Sequence, residues 1–172
     1  AQYDKLEWVA NTQYLYSQNG KYGLIRIYDE QLKQSMDEFG RTFLNPTLVP
    51  PIFEQVRVWE IFNSSNMIPA KKDGKWGFLE KLWEGVSAEM KIEAQFDAFN
   101  LYRTKDYAFF GVKKGDKWGL YRSDWRLIKE VVCDEIPLFH QNYFRVVENG
   151  KEVFIDTDGK VLASKPKTPK IV

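Results

Sequence analysis

Lys71-Lys72-Asp73-Gly74-Lys75-Trp76-Gly77-Phe78 is the stretch on which the architecture turns. Asp-Gly supplies two consecutive residues at ease with positive φ, the requirement of a two-residue hairpin turn. Before it, Ile68 and Ala70 are apolar two positions apart; after it come Trp76, Gly77, Phe78 and Leu79. That is strand alternation on both sides of a tight turn, and it predicts a β-hairpin.

Working outward, the same arrangement recurs in register. Asn19-Gly20, Gly115-Asp116 and Asn149-Gly150 take the place of the turn. Tyr14 and Tyr16, Phe110 and Val112, and Phe144 and Val146 precede them in strand alternation. The returning strands carry Tyr22-Gly23, Trp118-Gly119 and, eroded, Glu152-Val153. Upstream of each hairpin stands an opening motif of an aromatic or small apolar residue, an acid, any residue and an apolar one. Its copies are Tyr3-Asp4-Lys5-Leu6, Phe53-Glu54-Gln55-Val56, Phe96-Asp97-Ala98-Phe99 and Cys133-Asp134-Glu135-Ile136. A second turn follows each returning strand, clearest at Asp158-Gly159. A unit therefore reads as three short antiparallel strands, and the connection to the next unit varies in length.

The expectation is an all-β tandem array of four such units, at about residues 3–45, 46–91, 92–129 and 130–163, followed by an extended basic tail over 164–172. The longest connection holds Leu32, Met36 and Phe39 at helical spacing between Asp29 and Gly40, which predicts one short inserted helix over 30–39. Unequal periods and the atypical last unit favour an open array, curved or elongated, over its alternative, a closed propeller-like ring.

These motifs resemble the WG-repeat family of bacterial proteins, over nearly the whole chain outside the tail. The repeated register makes the resemblance specific, since a single Gly-Lys-Trp-Gly means little. The fourth unit departs from the pattern at Glu152 and Val153, as a capping unit would. The resemblance implies β repeats without a shared catalytic activity. Choline-binding cell-wall repeats are also built on glycine-tryptophan hairpins, but Gly23, Gly77 and Gly119 stand where those repeats place aromatics.

Composition narrows the partner. Twenty-five Lys and Arg against 24 Asp and Glu leave a formal charge of +1, so no global field recruits nucleic acid or an anionic membrane. No apolar run is long enough for a membrane-spanning helix. A lone Cys133 excludes an internal disulfide and a thiolate metal cluster, and Cys133 with His140 lacks any nucleophile signature. No cofactor, metal site or catalytic residue is expected. The compartment stays open between cytoplasm and export to the periplasm or cell surface, and the oligomeric state stays open too.

Aromatic residues make up 16% of the chain and suggest where contact occurs. Trp83 and Trp125 each lie seven residues after Trp76 or Trp118, near the second turn, and Trp8 and Trp59 follow opening motifs. Together they read as a stripe for stacking on a partner protein or a sugar. The competing role is to cover joints between units. In the fourth unit Lys160 takes the place of Trp125. The motif positions Gly20, Tyr22, Gly23, Gly74, Trp76, Gly77, Trp118, Gly119 and Gly150 are read as structural, with a neighbouring ring expected over each strand glycine. The recurring acids are read as turn or backbone acceptors, and the lysines beside the hairpin tips as a solvated face. The favoured function is a non-enzymatic module that presents a repeated β surface to another protein. A cell-envelope carbohydrate-binding module is the alternative, and an immunity or inhibitor-type protein stands third.

Overall fold

The computed structural model describes residues 3–10, 13–26, 47–58, 66–82 and 85–166. The predicted helix over 30–39 and the last residues of the tail lie outside them. Among the described residues fifteen strands form four antiparallel sheets, none closed into a barrel. The first sheet holds β1 (Lys5–Ala10), β2 (Gln13–Gln18), β3 (Lys21–Arg26) and β4 (Thr47–Phe53), in chain order. The second holds β5 (Gln55–Val56), β6 (Met67–Lys72), β7 (Lys75–Leu82) and β8 (Gly85–Phe96). The third holds β9 (Ala98–Arg103), β10 (Ala108–Lys114), β11 (Lys117–Arg122) and β12 (Leu127–Cys133). The fourth holds β13 (Leu138–His140), β14 (Tyr143–Glu148) and β15 (Lys151–Asp156).

The hairpin turns follow from their residues. Asn19-Gly20, Asp73-Gly74 and Asn149-Gly150 hold both members at positive φ, and at Gly115-Asp116 the glycine does so alone. Three of the sheets have a fourth strand where the reading from periodicity expected only a connection, and in the last sheet a single bridge, Ile155 to Val161, stands in that place. That fourth strand returns to pair with the third. Its partner lies far along the chain in the first sheet, so local alternation does not reveal the pairing.

The fourth strand also relocates the opening motif. Phe53 and Cys133 close β4 and β12, opposite Tyr22 and Trp118. In the first three sheets the new strand starts directly after the acid, at Lys5, Gln55 and Ala98, and in the fourth it starts at Leu138. Tyr22 and Leu24 face Phe53 and Val49, so two residues on β3 span four on β4, and the step from Trp118 to Leu120 against β12 is the same. Gly23 and Gly119 sit at these bulges. A Cβ on Gly23 would run into the carbonyl oxygen of Val49, and one on Gly77 would lie 2.5 Å from that of Ile92. The expectation of a ring over these glycines is therefore corrected: the main chain of the fourth strand takes that space.

The chain divides into two compact units, Ala1–Ala94 and Gln95–Val172. In the first, Leu15, Leu24, Val49 and Phe53 of one sheet pack with Val56, Ile68, Ala70 and Leu79 of the next. In the second, Phe109, Leu120, Ile128 and Cys133 pack with Phe144, Val146 and Ile155. Phe144 has Phe139 at 4.9 Å and Phe109 at 5.1 Å between ring centroids, and burial of such rings supplies much of the driving force.

Candidate functional site

The junction between successive sheets gathers most of the recurring polar residues. Backbone amides of Asp4, Glu54, Asp97 and Asp134 donate to the carbonyls of Ser17, Lys71, Lys113 and Val147. Three of the acids then reach the hairpin tip of their own sheet. The Gly74 amide donates to Glu54 Oε1 at 3.2 Å, Gly115 to Asp97 Oδ2 at 2.7 Å and Gly150 to Asp134 Oδ2 at 2.8 Å. The expected role as backbone and turn acceptors is what these acids have.

The motif lysine explains itself at the same junction. Lys117 Nζ lies 2.6 Å from Asp134 Oδ1, and Lys21 lies 3.7 Å from Glu54, so the lysine of one tip meets the acid that opens the following sheet. The motif aromatic fills the space beside it: Tyr22 and Trp118 pack against the two cores. Lys71 and Lys113 stand over the Trp76 and Trp118 rings, at 6.0 and 5.9 Å from the centroids. These cation–π pairs give two of the tip lysines a local partner.

The lysine ion pair and the Gly150 amide hold the Asp134 carboxyl below the usual range, and Arg122 does the same for Asp124. A carboxyl whose folded-state pKa is depressed stabilises the fold above its ordinary value and ceases to do so as pH falls through the folded value. The melting temperature should therefore drop on acidification below about pH 4. Asp134→Asn should show a shallower drop, and an acid branch identical to that of the parent would count against this account.

Of the four aromatic residues proposed for contact, two lie among the described residues, one in each compact unit. Trp59 and Trp83 lie outside the described residues. Trp8 is on β1, 56% exposed, and falls in the first compact unit. Trp125, half-buried, falls in the second. It lies in the β11–β12 turn, where its amide donates to Arg122 O, and its φ is 72°. The matching bond in the last sheet runs from Gly159 to Asp156, so Gly159, and not Lys160, occupies the place of Trp125. A bulky residue in the left-handed region is strained, and a glycine there is not. Trp125→Gly should thus be more stable than Trp125→Ala by about 1 kcal/mol, since both lose the ring and only alanine keeps the strain. Paired urea titrations check this, and equal midpoints would refute it.

Two features escaped the reading of the sequence. The first is the buried Arg122. It donates to both carboxylate oxygens of Asp124 at 2.9 and 2.8 Å, to Asp158 at 2.6 Å and to Thr157 O at 3.3 Å, and lies 4.4 Å from the Tyr107 ring centroid. Arg126 adds a second contact to Asp158 at 2.9 Å. Asp124 and Asp158, each one residue before a left-handed position, were the available signal. The second is a cleft of about 300 Å³ in the first unit, lined by Lys5, Glu7, Tyr22 and Arg57 with Leu15 and Val56.

Cys133 is fully buried, and burial pushes its thiol up, away from the thiolate. It fills the core position that the opening motif assigned to it. His140 is exposed and stacks on Tyr143 at 5.3 Å. Among the described residues no three His, Cys, Asp or Glu side chains converge as metal ligands, and no helix is long and apolar enough to cross a membrane.

A family model described as WG containing repeat matches residues 47–76. The match begins at β4, passes through the opening motif and ends on Trp76 at the tip of the second sheet. No curated protein and no solved structure matches the chain.

Proposed function

From a chain that carries a WG-containing repeat, we propose a non-enzymatic binding module that presents β surface to another protein. What supports the reading is the employment of the recurring residues. The acids cap turns, the strand glycines admit the fourth strand, and Tyr22 and Trp118 join the cores. The recurring positions thus build a scaffold, and contact falls to residues that do not recur. Trp8 leads these, a large amphipathic ring on the surface of the first sheet. A bacterial setting within a larger assembly accords with the family resemblance.

A photo-crosslinking residue placed at position 8 of the full chain tests the proposal in cells. The expected result is a discrete protein adduct that a crosslinker at Leu127, also exposed, does not form. Trp8→Ala should weaken binding of that protein by about 1–3 kcal/mol in titration calorimetry. Saturable quenching of Trp fluorescence by a cell-wall glycan, with no protein adduct, would replace this reading with the carbohydrate one.

A further inference from the structure

Two of the hairpin tips carry the same three residues, Asn19-Gly20-Lys21 and Asn149-Gly150-Lys151. Their backbones match as well: φ is 54° at Asn19 and 52° at Asn149, 72° at Gly20 and 71° at Gly150. Both asparagines and both glycines are exposed, and a side chain built on either glycine would meet nothing nearby. The tips differ in what their glycine amides do. The Gly150 amide donates to Asp134 Oδ2 at 2.8 Å, and the Gly74 and Gly115 amides find Glu54 and Asp97 in the same way. Asp4 opens the first sheet at the equivalent position, and its own amide donates to Ser17 O, but among the described residues no carboxylate accepts from the Gly20 amide.

Asparagine followed by glycine is a reactive pair. The glycine nitrogen can close a five-membered ring on the asparagine side-chain carbonyl carbon, and no side chain on the glycine hinders that approach. Loss of the amide proton to hydroxide makes the nitrogen a nucleophile. Its attack on Cγ forms a C–N bond, and the side-chain nitrogen takes a proton from water and leaves as ammonia. Water then opens the succinimide at one carbonyl or the other, to give aspartate or isoaspartate. A carboxylate on the amide opposes the first step in two ways. It holds the proton in a charge-assisted hydrogen bond, and it sets a negative charge beside the anion that would form. At Asp134 that carboxylate is itself held by Lys117, 2.6 Å from Oδ1.

We propose that Asn19 is a self-modification site, converted through attack by the Gly20 nitrogen, and that Asp134 protects the otherwise identical Asn149. The consequence falls on the β2–β3 hairpin. Either product adds a negative charge beside Lys21, and isoaspartate lengthens the main chain inside the two-residue turn that sets Gln18 opposite Lys21.

Peptide mapping by mass spectrometry tests this on the full chain held in mildly alkaline buffer, with both asparagines followed in the same sample. Asn19 should convert about fivefold faster than Asn149, or more. In concentrated denaturant the two rates should draw together, because the reacting residues are the same. Asp134→Ala should raise the rate at Asn149 towards that at Asn19 and leave Asn19 unchanged. Equal rates in the folded parent, or a faster Asn149, overturn the proposal. So does a difference that persists in denaturant, which would place its cause in the preceding residues, Gln18 and Glu148, and so does an Asn149 rate that Asp134→Ala leaves unchanged. Should Asp134→Ala fail to fold by circular dichroism, the comparison of native and denatured parent decides the matter alone.

Discussion

Gly77→Val should destabilise the protein by about 3 kcal/mol, at the upper end of overpacking changes. A Cβ there meets Ile92 O at 2.5 Å and Ala94 N at 2.8 Å, atoms of the strand alongside, and the Met90 methyl at 2.6 Å. The methyl can move and the backbone cannot, unless the β7–β8 ladder separates. Met90→Ala should therefore fail to rescue Gly77→Val. Gly119→Val should cost less, about 1–2 kcal/mol, because its nearest neighbour is the Val131 side chain at 2.8 Å and the backbone stands at 3.0 Å. There Val131→Ala should restore part of the loss. Chemical denaturation of the four variants reads the difference. Full rescue by Met90→Ala would mean that a side chain, and not the fourth strand, requires glycine at position 77.

Arg122→Met should lower stability by about 2–3 kcal/mol, the loss of several charge-assisted hydrogen bonds from a buried guanidinium. The expected loss stays below that of a fully buried ion pair because Asp124 and Asp158 remain open to water and are rehydrated once the cation is gone. Arg122→Lys should recover less than half, since an ammonium can neither fork across both oxygens of Asp124 nor lie flat on Tyr107. Melting curves at low and high salt supply the check. A loss in Arg122→Met that vanishes in high salt would show that long-range charge, and not the short bonds, carries the effect.

Much of this was legible in local sequence. Each Asn-Gly or Asp-Gly pair, with apolar residues two apart on either side, named a hairpin, and those hairpins are β2–β3, β6–β7 and β14–β15. Cys133 could be placed in a core because it stands where other units have phenylalanine or tyrosine. The opening acids were recognisable as backbone acceptors because they recur in register, although the tip amides from which three of them accept lie 16 to 20 residues along the chain. The aromatic stripe stays an expectation, because Trp59 and Trp83 lie outside the described residues and Trp8 and Trp125 fall in separate compact units.

The amino-acid sequence by itself determined the hairpin turns, the strand period and the recurrence of four units, because positive φ and alternation are properties of a few adjacent residues. The tertiary structure alone decided that the connection returns as a fourth strand and that its main chain excludes a side chain at Gly23. It alone decided that Lys117 meets the acid of the next sheet, and that Trp125 takes a glycine's conformation. Each of these depends on residues distant in the chain coming into register, and the hydrogen bonds and steric limits that select the register exist only once the sheets have formed.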